Sequence, residues 1–239
     1  MLNKKSASHV EIVMSFALFM LFVIFLLYQF NPAKQQNLGN FLLDILQDSI
    51  EEQASVVLFE VPFFINSSAV TADCFIVKNP FNAKYNITAL SAAKNPLGCD
   101  ASSADIKIKK SGSDKQYFLY YSPDEALTPP NSVSGCQNIG EPGGNYSFSA
   151  QRSYKLLSLN KLKELENNYN TDYNGLKEML HFPSGKDFAL EIKDLQGSSI
   201  LKLERKKPAG IEIYARELPV ELLNIDGTIT KGIMNMQVW

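Results

Sequence analysis

The chain has 239 residues, 23 of them basic against 25 acidic, and is 45% hydrophobic and 20% charged. This composition is neither disordered nor collagen-like, and the near-neutral balance speaks against a nucleic-acid partner, since a nucleic-acid-binding domain usually carries a clear basic excess. The length allows one large domain or two small ones.

The apolar weight is concentrated near the N-terminus. No residue between 12 and 33 is charged, and 12–30 reads IVMSFALFMLFVIFLLYQF. About 20 helical residues, rising about 1.5 Å each, span a hydrocarbon core of roughly 30 Å. The stretch is apolar all round, unlike an interfacial amphipathic helix. It is longer than the roughly 7–15-residue apolar region of a cleaved secretory signal and has no small-x-small exit. The expectation is a transmembrane helix over 7–33, with membrane lipid as a partner. Lys4 and Lys5 precede it, whereas acidic Asp44, Asp48, Glu51 and Glu52 dominate the flank that follows. The positive-inside tendency then predicts a single pass through the cell membrane, a cytoplasmic N-terminus and an extracellular domain over 34–239.

Glu11 stands at the very start of the apolar run, where lipid offers a carboxylate nothing. One reading is an acid at a helix N-terminus, where the dipole favours negative charge. Its neighbours Lys4, Lys5, Ser6 and Ala7 suggest another. The stretch resembles the class III signal peptide of type IV pilins, especially archaeal pilin-like proteins. In that family a short basic leader ends in a small residue, a prepilin-type peptidase cuts before the apolar helix, and a Glu stands fifth in the mature chain. Cutting between Ser6 and Ala7 makes 1–6 the leader and Glu11 the fifth residue; the family usually has Gly or Ala where this chain has Ser6. The resemblance implies a structural subunit of a surface filament or pseudopilus, held to copies of itself or to related subunits through its N-terminal helix. In it Glu11 would pair with the new α-amino group of a neighbour, which lowers the cost of burying both charges. The alternative is a signal-anchored surface binding or adhesion domain without filament assembly.

Beyond the apolar run, Asn31-Pro32 interrupts the helix, because proline lacks a backbone donor and clashes with the preceding turn. Leu38, Phe41, Leu42, Ile45, Leu46 and Ile50 then recur at helical spacing, which predicts an amphipathic helix over 35–54. The β-branched and aromatic stretch 56–65 reads as a strand, with Pro62 suggesting an edge or bulge. Further strands are expected over 74–78, 85–90, 106–109 and 116–121, separated by polar loops, the longest over 122–144. Helix returns around 157–181, where Leu159, Leu162, Leu165 and Tyr169 form one stripe. Strands are expected again over 188–193, 200–204, 211–216 and 228–238, with Asp226-Gly227 as a hairpin turn. No βαβ rhythm appears. The predicted class is α+β: the kinked N-terminal helix pair, then a mainly antiparallel β domain with one or two short helices.

Little in the sequence carries chemistry. Of two histidines, His9 lies at the apolar boundary and His181 stands apart from any nucleophile motif. Zinc-ligand spacings and phosphate-binding glycine loops are absent, so no cofactor and no enzymatic activity are expected. The charged run 202–207 reads as a strand edge protected against pairing. Cys74, Cys99 and Cys136 permit one disulfide, with Cys99–Cys136 favoured over Cys74–Cys99 because both follow glycine in polar loops. Asn66, Asn86 and Asn145 lie in glycosylation sequons, no more than chance would supply, and Asn145 is the most loop-like.

Overall fold

The computed structural model describes residues 4–29 and 32–239, with side-chain surroundings for 11–26 and 38–239. Helix α1 (Lys4–Gln29) is followed by α2 (Pro32–Ala54). Residues 30–31, where the sequence leads one to expect an interruption, lie outside the described residues, and proline opens α2 at a first-turn position where its missing N–H costs nothing.

The expected transmembrane helix over 7–33 is corrected here. Among the described residues no helix is long and apolar enough to cross a membrane. Single-pass anchoring in the cell membrane, with a cytoplasmic N-terminus and an extracellular domain, is therefore not supported.

The remainder begins with β1 (Ser55–Ile65), β2 (Cys74–Lys78), β3 (Ile87–Leu90), β4 (Pro96–Leu97), β5 (Cys99–Ala101), β6 (Asp105–Lys109) and β7 (Gln116–Tyr121). It continues through β8 (Gln137–Asn138), β9 (Tyr146–Phe148), β10 (Arg152–Ser158), α3 (Leu159–Thr171) and α4 (Tyr173–Met179), then β11 (Phe188–Asp194), β12 (Ser199–Leu203), β13 (Tyr214–Leu223) and β14 (Ile229–Val238). One sheet of ten strands runs β12-β11-β14-β13-β10-β1-β7-β3-β4, with β9 on β1; a smaller sheet runs β5-β6-β2-β8. The domain is mainly antiparallel, as expected, but its sheets are mixed. β10 pairs parallel with β13, and β2 with β8. The first parallel pair arises because the chain leaves β10 through α3 and α4, builds β11 and β12, and re-enters beside β10 in the same direction. Ser158 caps α3 by accepting from the Lys161 N–H, and the Asp172 side chain accepts from Gly175 N–H at the start of α4.

Strand alternation sets the layers. Val61, Phe63 and Ile65 point to one face of β1 and pack with Phe75, Ile106 and Ile108 of the small sheet. At the other end of the large sheet Leu42, Leu46 and Ile50 of α2, with Leu162 and Leu165 of α3, cover Leu190, Leu222 and Met236. The opposite face of β1 carries Val56 and Leu58 in a smaller cluster with Phe118, Leu156 and Leu223. Pro62 does not mark a sheet edge. It falls where the partner of β1 changes from β10, paired over 55–60, to β9, paired over 63–65, so its missing donor interrupts neither ladder.

Candidate functional site

The face of β1 that carries Val56 and Leu58 also carries Glu60. Its two register partners are Arg152 of β10 on one side and Tyr120 of β7 on the other. Glu60 is 4% exposed, and a carboxylate at that depth demands partners. Lys94 Nζ donates to Glu60 Oε2 at 2.7 Å and to the Tyr120 hydroxyl oxygen at 2.8 Å, while the Tyr120 hydroxyl donates to the same Glu60 oxygen at 2.8 Å. The three groups close a triangle, and the Lys94 ammonium also lies 3.0 Å from the centre of the Phe118 ring.

Lys94 reaches this position from the tight β3–β4 turn, where Ser91 and Asn95 face each other and Lys94 takes φ +61°. A residue with a side chain pays roughly 1–3 kcal/mol for such a conformation, set here against the ion pair with Glu60. Burial pulls the Lys94 pKa below its ordinary value, opposed by the Glu60 hydrogen bond and charge and helped by the Arg152 charge. Burial, then the hydrogen bond to Glu60, pushes the Tyr120 phenol far above its ordinary value. Near neutral pH the Tyr120 phenol therefore keeps its proton.

Above the triangle lies a groove of about 650 Å³, walled on one side by the β13–β14 turn. Thr88 Oγ1 donates to the Asp226 carbonyl at 3.2 Å and Thr128 N–H donates to the Ile225 carbonyl at 2.7 Å, which pins the turn over β3. Gly227 is required there. It has φ +87°, and a Cβ would stand 2.3 Å from Thr88 Cγ2.

The second notable surface is α1. Ile12, Met14, Phe16, Leu18, Phe19 and Leu21 are each about 60–64% exposed, and Phe22, Ile24 and Phe25 are 57–58% exposed. These residues occupy every side of the helix. The exposure continues onto α2, where Leu38 is 49% and Phe41 58% exposed although helical spacing puts them with the buried Leu42 and Leu46.

Of the sequence-predicted residues, Lys4, Lys5, Ser6 and Ala7 belong to α1, but their side chains lie outside the described residues, as do Met1–Asn3 altogether. Glu11 is exposed at the start of the apolar run. The favoured disulfide is corrected: Cys74 is bonded to Cys136, and Cys99 is free and buried. The parallel register of Phe75 with Gln137 brings the preceding residues, Cys74 and Cys136, side by side with Cα atoms 4.7 Å apart. Cys99 instead enters β5 opposite Ile108, where burial pushes its thiol up to about 12 and leaves it inert. Asn66 is exposed, its Oδ1 accepting from the Ser68 N–H and hydroxyl. Asn145 commits its Nδ2 to the Ile139 carbonyl at 3.1 Å, and Asn86 is half-buried with φ +62°. His181 is exposed just beyond α4 with φ +51°, in the left-handed position that ends many helices.

Sequence reading missed Glu60, Lys94, Tyr120 and Arg152. One signal was available: Glu60 is the only charged residue in β1 and shares the inward period of Val56 and Leu58. Lys94 and Arg152 carry no comparable mark. Comparison with protein families, curated proteins and solved structures finds no match to this chain.

Proposed function

We propose that the chain is a structural subunit that assembles into a filament through its N-terminal helix, as type IV pilin-like subunits do. The observation that carries this reading is the apolar surface of α1, open on every side and continued by Leu38 and Phe41. Monomeric proteins rarely expose contiguous apolar patches of more than a few hundred Å². Each Å² withdrawn from water contributes about 25 cal/mol, so a surface of this kind drives association strongly. A helix with an apolar stripe is covered by one partner; a helix apolar all round requires a bundle around it. Copies of the same helix supply that bundle.

The N-terminal resemblance supports the same reading. A prepilin-type peptidase cutting between Ser6 and Ala7 leaves the whole apolar run on the mature protein and creates a new α-amino group four residues before Glu11. In a helical bundle the Glu11 carboxylate of one copy then meets the ammonium of another, and each offsets the other's desolvation.

The test combines terminal mass spectrometry with electron microscopy of the purified protein. The mature chain is expected to begin at Ala7 and to form filaments, and Glu11→Gln to reduce filament yield at least tenfold. An intact Met1 terminus, with Glu11→Gln assembling as the unsubstituted protein does, contradicts the reading.

A further inference from the structure

The groove beside Glu60 has a charge imbalance that its internal contacts do not remove. Three cations face it, Lys94, Arg152 and Lys231, against two carboxylates, Glu60 and Glu221. Lys94 is bound to Glu60, and Lys231 stands 3.6 Å from Glu221. Arg152 makes no ion pair among the described residues. Its guanidinium, always charged and able to hold a carboxylate by two parallel hydrogen bonds, is the unspent cation of the groove.

The neighbouring lining is neither wholly apolar nor wholly charged. Phe64 lies on the same face of β1 as Glu60, four residues on, or about 13 Å along an extended strand, and the residue is 46% exposed. Phe118 carries the Lys94 ammonium, whereas Phe64 stands exposed in the groove lining. Ser149 lies beside Pro62, between Arg152 and Phe64, Gln116 stands opposite Phe64, and Tyr154 lines the groove on the far side of Arg152. Its volume falls in the roughly 300–1,000 Å³ range of small-molecule sites.

A ligand matching this lining carries one carboxylate, several hydroxyls and an apolar ring face, and is longer than a single pyranose. We propose that the groove binds an acidic oligosaccharide, a uronate carboxylate pairing with Arg152 and a sugar ring stacking on Phe64. The triangle is the floor of this site: it holds Lys94, whose side chain is 43% exposed, on the buried Glu60 and leaves Arg152 to the ligand. The proposal stands apart from filament assembly and survives if that reading fails.

Titration calorimetry of the full chain, kept dispersed in mild detergent, tests it with a glucuronate-containing disaccharide, the same disaccharide with the carboxylate reduced to the alcohol, and inorganic phosphate. The acidic disaccharide is expected to saturate the protein and to bind at least tenfold more tightly than either comparison. Arg152→Gln, an exposed substitution, is expected to remove that tenfold preference, and Arg152→Lys to restore part of it. Phe64→Ala is expected to weaken both sugars alike. No saturable binding of the acidic disaccharide overturns the proposal. So does phosphate binding as tightly as the sugar, or an unchanged affinity in Arg152→Gln.

Discussion

Gly39 of α2 lies against the ring of Tyr214 so closely that a Cβ built on it would stand 2.2 Å from Tyr214 Cγ. Glycine within a helix costs about 1 kcal/mol relative to alanine. At this position the close approach explains it: Tyr214, at the start of β13, packs on the helix backbone itself. Gly39→Ala therefore collides with the fixed base of the ring and not with a flexible tip. Overpacking of this kind costs about 1–3 kcal/mol, more than the gain in helix propensity. Thermal denaturation should show Tm lowered by some 2–6 °C, and Tyr214→Ala in the same chain should relieve part of the loss, giving a less than additive double variant.

The disulfide makes a second prediction. Cys74–Cys136 closes a separation of 62 residues, for which loop entropy gives a stabilisation of about 4 kcal/mol. Reduction, or Cys74→Ser, should lower stability by that order in urea denaturation. Cys99→Ser should leave the bridging peptide unchanged in a non-reducing digest; a Cys99 peptide found in the bridge would contradict the pairing.

Alkaline stability follows from buried acids. The Cys99 thiol is raised from 9.0 to about 12 and the Tyr173 phenol from 10.0 to about 12, each chiefly by burial. The unfolded chain loses these protons first, so the folded state binds more protons between pH 9 and 12. Stability is then fully present below pH 9 and falls as pH rises toward about 12. Denaturation midpoints measured across that range should decline, and Cys99→Ala should delay the onset of the decline to about pH 10. A flat profile from 9 to 12 would show that these groups are not buried in the folded protein.

The β13–β14 turn depends on Gly227 for both its left-handed backbone and its contact with Thr88. Gly227→Ala should destabilise the protein by about 1–3 kcal/mol. It should also lower hydrogen-exchange protection at Thr128 N–H, which donates to the turn at Ile225. Unchanged protection there would mean that the turn is not held as described.

What could be read from the sequence and what could not divide along physical lines. The helical period of Leu42, Leu46 and Ile50 and the turn at Asp226-Gly227 are local signals, and both features occur in the structure. The second half of β13 was not legible, because Pro219 and Glu221 interrupt a strand whose alternate residues are half-exposed. The parallel pairing of β10 with β13 and the joining of Cys74 to Cys136 depend on contacts distant in sequence, which no local pattern encodes. The same holds for the groove. Glu60 and Lys94 are 34 residues apart, and only the sheet order places them beside Tyr120 and Arg152. The apolar run of α1 was plain, but its reading as a membrane span is corrected by the described helices, none of which is long and apolar enough to cross a membrane; apolar character alone does not say what covers a helix.

The most direct measurement of the central claim, that α1 is covered by other copies of itself, is photo-crosslinking from a benzophenone side chain placed at Phe19, which is 60% exposed. The account predicts covalent dimers and larger species whose linked peptide, identified by mass spectrometry, lies within residues 11–26 of a second copy. Monomer only, or crosslinks confined to residues 55–239, would contradict it.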